Sequence, residues 1–387
     1  MGYDVIVIGT GPSGSVSAAC LAEAGFRVLA LEKEIHPRTK PCGGCISKRI
    51  DNYFDLSKLG VIEHLISGVV FTFCGREKQS FTTSRPAAYM VDRRSLDHAL
   101  VREARNKGAV IIENCRVTNI HKVKEGFLVD TDEGSFQCRI VIGADGANGI
   151  TRKLTARGER HRVYMAVERH LKNDSFLHSL GESLVIELGR VSAGYGWIFP
   201  HSDYLSVGIA GIRGRNTPLK KKLGLLLEAM QMNGEGFQTR AHPICSFIGR
   251  TQSLTSGEIV RVGEAGGLTD PFLGEGIFQA IRSGQLAGHY IGEYLNGAKD
   301  ALWRYERHIE REFYLEFRRA AQLSRMVFAF PRYFYRNLAK RPHGIEIFFS
   351  ILRGEETYNN LYWMALRWLG LQLVPPPIRR KLPPLYS

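Results

Sequence analysis

The chain opens on an apolar run, residues 3–8 (YDVIVI), with no polar position after Asp4. A short run rich in β-branched residues and lacking alternation predicts a strand buried on both faces, as in a parallel sheet. Residues 13–24 are Ala-rich and predict a helix closed by Gly25. Residues 27–31 (RVLAL) predict a second strand, so the start reads as a βαβ unit of about 30 residues. Leu96, Ala99, Leu100 and Ala104 recur at helical spacing within residues 95–107. Residues 110–120, 126–132 and 137–142 predict strands. Between 163 and 212 the pattern changes to alternation, as in SLVIEL and YLSVGIAGI, which predicts antiparallel sheet. A helix over 219–232, a buried strand over 259–262 and a helix over about 276–295 follow. From Leu302 onward the pattern is helical, with breaks at Pro331, Pro342 and Pro375 to Pro377.

Gly9-Thr10-Gly11-Pro12-Ser13-Gly14 lies between the first strand and the first helix. In a GxGxxG turn the first glycine makes the tight turn and the second lets the backbone approach a pyrophosphate. The third lets helix and strand pack closely. The phosphates then sit on the helix N-terminus, with Ser13 in its first turn. Glu32 ends the second strand, 18 residues past Gly14, with Lys33 beside it. A carboxylate there accepts hydrogen bonds from a ribose diol, so the pattern points to FAD or NAD rather than NADP.

Composition narrows the setting. The chain has 387 residues, 44% hydrophobic and 23% charged, enough for one large two-part domain or two ordinary ones. Its net charge of +14 favours anionic partners. Residues 301–387 hold 15 Lys and Arg against 7 Asp and Glu, and are rich in aromatics. No nucleic-acid-binding motif accompanies them, so a membrane surface ranks above nucleic acid. Trp363 to Leu369 (WMALRWL), followed by Arg379, Arg380 and Lys381, fits an interfacial helix as well as a helix packed on the domain. No apolar run of roughly 18 residues occurs and no signal peptide precedes the first strand. A cytoplasmic protein is expected, peripheral on the inner face of a membrane if it meets one.

The seven cysteines include one close pair, in PCGGC, Pro41 to Cys45. Cys42 and Cys45 have thioredoxin-type spacing, which suits a dithiol redox centre. A zinc site needs two further ligands that the sequence does not place nearby, and no metal is expected.

Three further stretches carry a family resemblance. Gly143-Ala144-Asp145-Gly146-Ala147-Asn148-Gly149 resembles the second fingerprint of hydroxylase-type flavoproteins. Val262-Gly263-Glu264-Ala265-Gly266-Gly267 resembles their GDA motif, with Glu264 in place of Asp. Pro271, Gly274, Glu275, Gly276 and Ile277 continue it into a helix N-terminus. That resemblance implies FAD. It also implies contacts from Asp145, Glu264, Gly274, Gly276 and Ile277, from Arg93 of VDRRSLD on the phosphates or ribityl chain, and from Val117 near the adenine. PCGG and Gly194-Tyr195-Gly196-Trp197-Ile198-Phe199-Pro200-His201 are similar to PCGG and YxWxFPK of the geranylgeranyl reductase family, with His201 replacing Lys.

The resemblance implies an α/β fold with a discontinuous Rossmann-type FAD-binding domain over 1–65, 90–160 and 255–295. A β-rich antiparallel substrate domain is inserted over 66–89 and 161–254, and a helical, basic region covers 296–387. The implied activity is reduction of C=C bonds in a polyprenyl chain by reduced FAD. Cys42 and, more weakly, Tyr195 are the candidate acids, and Tyr195, Trp197 and Phe199 form a substrate wall. Cys42, Gly43 and Cys45 would lie against the flavin. No second dinucleotide fingerprint occurs, so electrons come from transiently bound NADPH or an electron-donor protein such as a ferredoxin. The rival readings are a flavin disulfide oxidoreductase using Cys42 and Cys45, a monooxygenase or halogenase-like enzyme, and a non-catalytic flavin protein. Halogenases carry WxWxIP and a catalytic Lys, where this chain has Tyr195 and Phe199.

Overall fold

The computed structural model describes residues 2–155, 162–212, 218–232, 238–247, 252–339 and 342–368. The first strand, Tyr3–Ile8, sits inside an eight-stranded sheet. It pairs in parallel with Val28–Leu31 on one side and Ser135–Gly143 on the other. Val110–Ile112 and Ile259–Arg261 extend the parallel part outward. Alternation splits the central strand's side chains. Val5 and Val7 face the helices Pro12–Glu23, Arg93–Asn106 and Ile277–Leu295. Ile6 and Ile8 face a hairpin formed by Val117–Val123 and Gly126–Thr131. Burial on both faces explains the uninterrupted apolar run. The expected strand over 110–120 is two strands, because Cys115 turns its N–H back to the Glu32 carbonyl between them.

The second sheet has seven strands in the order Arg240–Ser246, Arg162–Leu171, Leu205–Ile212, Gly194–Pro200, Ser183–Leu188, Gly68–Phe73, Glu77–Thr82. It was expected to be antiparallel, and all pairs but one are. Ser183–Leu188 runs parallel to Gly68–Phe73. These two strands come from separate stretches of chain, so no tight turn dictates their relative direction. One face packs on the helices Leu219–Ala229 and Asp174–Leu180. A small sheet of Cys45–Ser47, Ala88–Val91 and Ile62–Ile66 bridges the two large ones.

The C-terminal region forms the helices Ala301–Ile309, Leu315–Ala329, Pro331–Ala339, Pro342–Arg353 and Tyr358–Trp368. Pro331 and Pro342 each open a helix, where a missing N–H costs nothing. Tyr358, Leu361 and Ala365 bury one face of the last helix in a cluster with Ala320 and Leu323 of Leu315–Ala329. Arg379, Arg380 and Lys381 lie outside the described residues. No helix among the described residues is long and apolar enough to cross a membrane. The expected class, a Rossmann-type α/β domain with a β-rich insertion and a helical C-terminal region, is the class observed.

The Ile277–Leu295 helix reaches Pro12–Glu23 through small residues one turn apart. A Cβ on Gly284 would lie 2.5 Å from the Ser13 carbonyl oxygen, and one on Gly288 would lie 2.6 Å from Cys20 Cβ. Gly284→Val is therefore expected to push the helices apart and cost ~1–3 kcal/mol, read as a lower Tm in thermal denaturation.

Candidate active site

The fingerprint glycines divide by what demands them. Gly9 has φ +93°, and a Cβ there would lie 2.6 Å from the Ala144 carbonyl. A Cβ on Gly14 would lie 2.0 Å from the Gly9 carbonyl. Both requirements are internal to the chain. Gly11 is different: its Cβ would meet only the Arg38 guanidinium, at 3.7 Å. The space above it is free for a ligand, at the start of a 12-residue helix with no side-chain cap. A cradle of this shape fits the pyrophosphate of FAD.

Glu32 is buried at the end of the second strand. Its Oε2 accepts from Thr10 N at 2.9 Å and Thr10 Oγ1 at 3.0 Å, which ties the acid to the glycine turn. Lys33 points to the surface beside Glu34. Val117 packs with Ile112 and Cys115 in the core behind the sheet, away from the central cavity. Asp145, expected at the cofactor, has its carboxylate accepting from the Thr151 N–H and hydroxyl, which fixes the start of the Ile150–Thr155 helix. Ala144 and Gly146 line the cavity at that turn.

A chain of charges runs from Glu32 to Cys42. Arg38 Nε lies 3.6 Å from Glu32 Oε2, and Arg38 NH1 lies 3.2 Å from Asp97 Oδ2. Asp97 grips Arg93 through two bonds, Nε to Oδ1 at 2.9 Å and NH2 to Oδ2 at 2.8 Å. Burial opposes ionisation of Asp97, but Arg93, Arg38 and Lys40 outweigh it and hold its carboxyl below the usual carboxylate range. The Arg93 guanidinium also lies near the Cys42 sulfur, and both residues line the cavity. It is held from behind by Asp97, whereas Arg94 is exposed. Asp97 and Arg38 were not singled out in the sequence, although Asp97 stands four residues after Arg93, a spacing at which helical side chains meet.

The PCGGC loop is pressed between this charged chain and the second sheet. A Cβ on Gly43 would lie 2.8 Å from the Phe199 ring, and one on Gly44, whose φ is +77°, would lie 2.3 Å from the Val91 carbonyl. Both glycines are thus required by neighbouring protein atoms. Gly44 N donates to Cys42 Sγ at 3.5 Å, and Cys42 N donates to Glu168 Oε1 at 3.1 Å. His201 replaces the family's Lys and is fully enclosed. Its Nδ1 meets Glu63 Oε2, its Nε2 lies 3.2 Å from the Gly43 carbonyl, and its ring stacks on Tyr204 at 4.3 Å. Cys45 begins the bridging strand, and burial, with Glu275 and Cys42 nearby, pushes its thiol well up. All seven cysteines are free thiols.

The expected aromatic wall is present. Tyr195, Trp197 and Phe199 line one side of the cavity. Trp197 lies flat over Gly208, where a Cβ would come within 2.1 Å of its ring, and its Nε1 donates to Ser206 Oγ at 3.1 Å. The Tyr195 hydroxyl donates to the Leu273 carbonyl, and burial pushes the phenol up. Tyr195 is therefore a poor acid and a good anchor for the loop that carries Gly274, Gly276 and Ile277, all three of which line the cavity.

That loop is braced by Asp270, Tyr358 and Arg49, which the sequence reading missed, and by Glu275. Asp270 Oδ1 accepts from Phe272 N and Leu273 N at 2.8 and 3.0 Å, and its Oδ2 accepts from the Tyr358 hydroxyl at 2.7 Å. Glu275 accepts from Ser47 N at 2.8 Å and Arg49 at 2.6 Å. Glu264 bonds Lys40 at 3.4 Å and Cys245 N at 3.3 Å, so its longer arm is already occupied at the cavity edge.

From Cys42 the cavity continues as an apolar channel. Its floor is the second sheet, with Val69, Phe71, Leu184, Ile186 and the aromatic wall. Its roof is the C-terminal helices, with Leu323, Phe328, Phe334, Phe348, Leu352 and Leu361. The basic, aromatic region thus turns apolar side chains inward over the site.

Replacing Asp97 by Asn leaves Arg93 buried without its counter-charge. We expect a loss of ~3–5 kcal/mol in urea unfolding at neutral pH. Because the folded carboxyl titrates below its unfolded value, this contribution is present above that value and lost as pH falls through the folded one. The gap between wild type and variant should therefore narrow below about pH 4.

Comparison with known proteins agrees with this geometry. A family model described as an FAD binding domain matches residues 2–168. The chain is 30% identical over 314 residues to an uncharacterized protein of Methanosarcina barkeri, covering 80% of each. It is 26% identical over 331 residues to the digeranylgeranylglycerophospholipid reductase of Methanococcus vannielii, covering 81% of this chain and 83% of that one. Its fold superposes on a geranylgeranyl bacteriochlorophyll reductase-like protein of Thermoplasma acidophilum with TM-score 0.73 at 22% identity, covering 84% and 87% of the two chains. With the FAD cradle, PCGG and YxWxFP joined in one cavity, the chain belongs to the geranylgeranyl reductase family of FAD-dependent oxidoreductases.

Proposed function

We propose that the protein reduces carbon–carbon double bonds of a polyprenyl lipid. The observation that carries this reading is the apolar channel, which starts at the flavin cradle beside Cys42 and runs between aromatic strands and apolar helices. Such a lining fits a long hydrocarbon chain and excludes water from the reacting carbons. The name of the Methanococcus relative, a reductase of a lipid with geranylgeranyl chains, supports the same substrate class. The lipid's polar end distinguishes a glycerolipid, a phytyl precursor and a quinone tail, and the channel is compatible with each.

FAD supplies the hydride once it is reduced. Cys42 gives the proton to the other alkene carbon, and the Arg93 guanidinium with the Gly44 N–H holds the negative charge left on sulfur. Trp197 and Phe199 hold the chain against the reacting face. NADPH or a reduced carrier such as ferredoxin reduces the flavin. The basic C-terminal region makes peripheral contact with a membrane from which the lipid is drawn.

The test is anaerobic. Bound flavin is reduced chemically, polyprenyl lipids are added, and reoxidation is followed by absorbance, with the saturated product identified by mass spectrometry. A lipid of this class should reoxidise the flavin, and failure of all of them would sink the reading. Cys42→Ala should keep FAD and lose about 10²–10⁴-fold in turnover. The dithiol alternative is disfavoured by the surroundings of the half-buried Cys45, which push its thiol up and oppose thiolate formation. Cys45→Ser separates the two readings: abolished activity belongs to dithiol chemistry, retained activity to alkene reduction.

A further inference from the structure

A second acid stands directly behind Cys42. Glu168 lies on the Arg162–Leu171 strand, 1% exposed, with Oε1 taken by the Cys42 N–H at 3.1 Å. Its other oxygen, Oε2, is buried with no donor. His170, two positions along the same strand face, brings Nε2 to 3.5 Å from Glu168 Oε1, and its side chain is 22% exposed. The neighbouring Leu205–Ile212 strand puts Gly208 opposite Glu168 and so offers no competing side chain there. On the other side, Arg240–Ser246 carries His242 into the cavity, and burial holds that imidazole below its ordinary value. Lys40, Arg93 and Glu264 also act on His242, and Tyr204 feels Glu168. Arg240, on the same strand as His242, pairs directly with Glu168 and puts a cationic residue opposite it in the register.

Holding a backbone N–H asks only for a carbonyl oxygen, which an amide would supply at less cost. A carboxyl with one oxygen unengaged can also take up and release a proton. The partly exposed His170 lies between it and solvent, while Cys42 faces the channel on the other side.

We propose that Glu168 is a proton relay that restores the Cys42 thiol after each reduction, drawing the proton from solvent through His170. The inference rests on the alkene-reductase reading. In that reaction the Cys42 S–H bond breaks and its proton forms a C–H bond at one alkene carbon. The hydride from the reduced flavin forms the other C–H bond, so the flavin is oxidised as the double bond is reduced. The Glu168 carboxylate then takes a proton from the His170 ring and passes it to the sulfur, and the ring takes one from water. One solvent proton is consumed per double bond, and the electron pair comes entirely from the flavin. Glu168 acts through Cys42 and is a positioning and relay residue.

Glu168→Gln tests this, because Gln keeps the bond to the Cys42 N–H but cannot carry the proton. In the holoenzyme, iodoacetamide labelling of the Cys42 peptide is measured by mass spectrometry across pH, beside FAD content and turnover. Gln removes a negative charge beside the thiol, so the labelling profile should move to lower pH. FAD content should match wild type, and kcat should fall about 10-fold or more with KM within about twofold. His170→Gln should lower kcat less, and it carries the test if Glu168→Gln does not fold. An unmoved labelling profile, or kcat within twofold of wild type in both variants, overturns the relay. If wild type reduces no polyprenyl lipid, the functional reading fails instead, and the labelling profile still decides whether Glu168 shares charge with Cys42.

Discussion

The site is organised by one buried ion pair. Arg93 and Asp97 meet through two short bonds on the first turns of a helix, with almost no access to water. Neither charge can be left alone in that setting, so whatever places one places the other. Because Arg38 meets both Glu32 and Asp97 and the Arg93 guanidinium lies near the Cys42 sulfur, the pair links Glu32 to the thiol. A helix one turn out of register would lose both contacts together.

Around that fixed point, two sheets with different tasks are brought edge to face. The parallel sheet presents a glycine turn and a helix end, features made of backbone. The mixed sheet presents aromatic rings, features made of side chains. The PCGGC loop touches both, and it is thin because Gly43 and Gly44 leave no room for anything thicker. Polar chemistry therefore gathers on one side of the loop and apolar packing on the other.

The nucleotide cradle was legible in the sequence because its demands are local: Gly9 and Gly14 are required by atoms a few residues away or on the paired strand. The aromatic wall was legible for a similar reason, since strand alternation alone puts Tyr195, Trp197 and Phe199 on one face. What the sequence hid depends on topology. Glu168 and His242 sit on neighbouring strands whose pairing the pattern does not encode. Asp270 reaches Tyr358 across 88 residues. The C-terminal segment was correctly helical, but periodicity gives a helix an apolar face without saying what it covers. Asp145 also closes its own turn, a role the motif did not announce.

The parallel junction between Gly68–Phe73 and Ser183–Leu188 has a further consequence. Its partners stand 115 residues apart in the chain, and the first sheet is itself unfinished until Ile259–Arg261 has been added. Pairings of such long range form late and slowly. During synthesis the early βαβ unit must therefore wait, with its apolar edges uncovered, until most of the chain has left the ribosome.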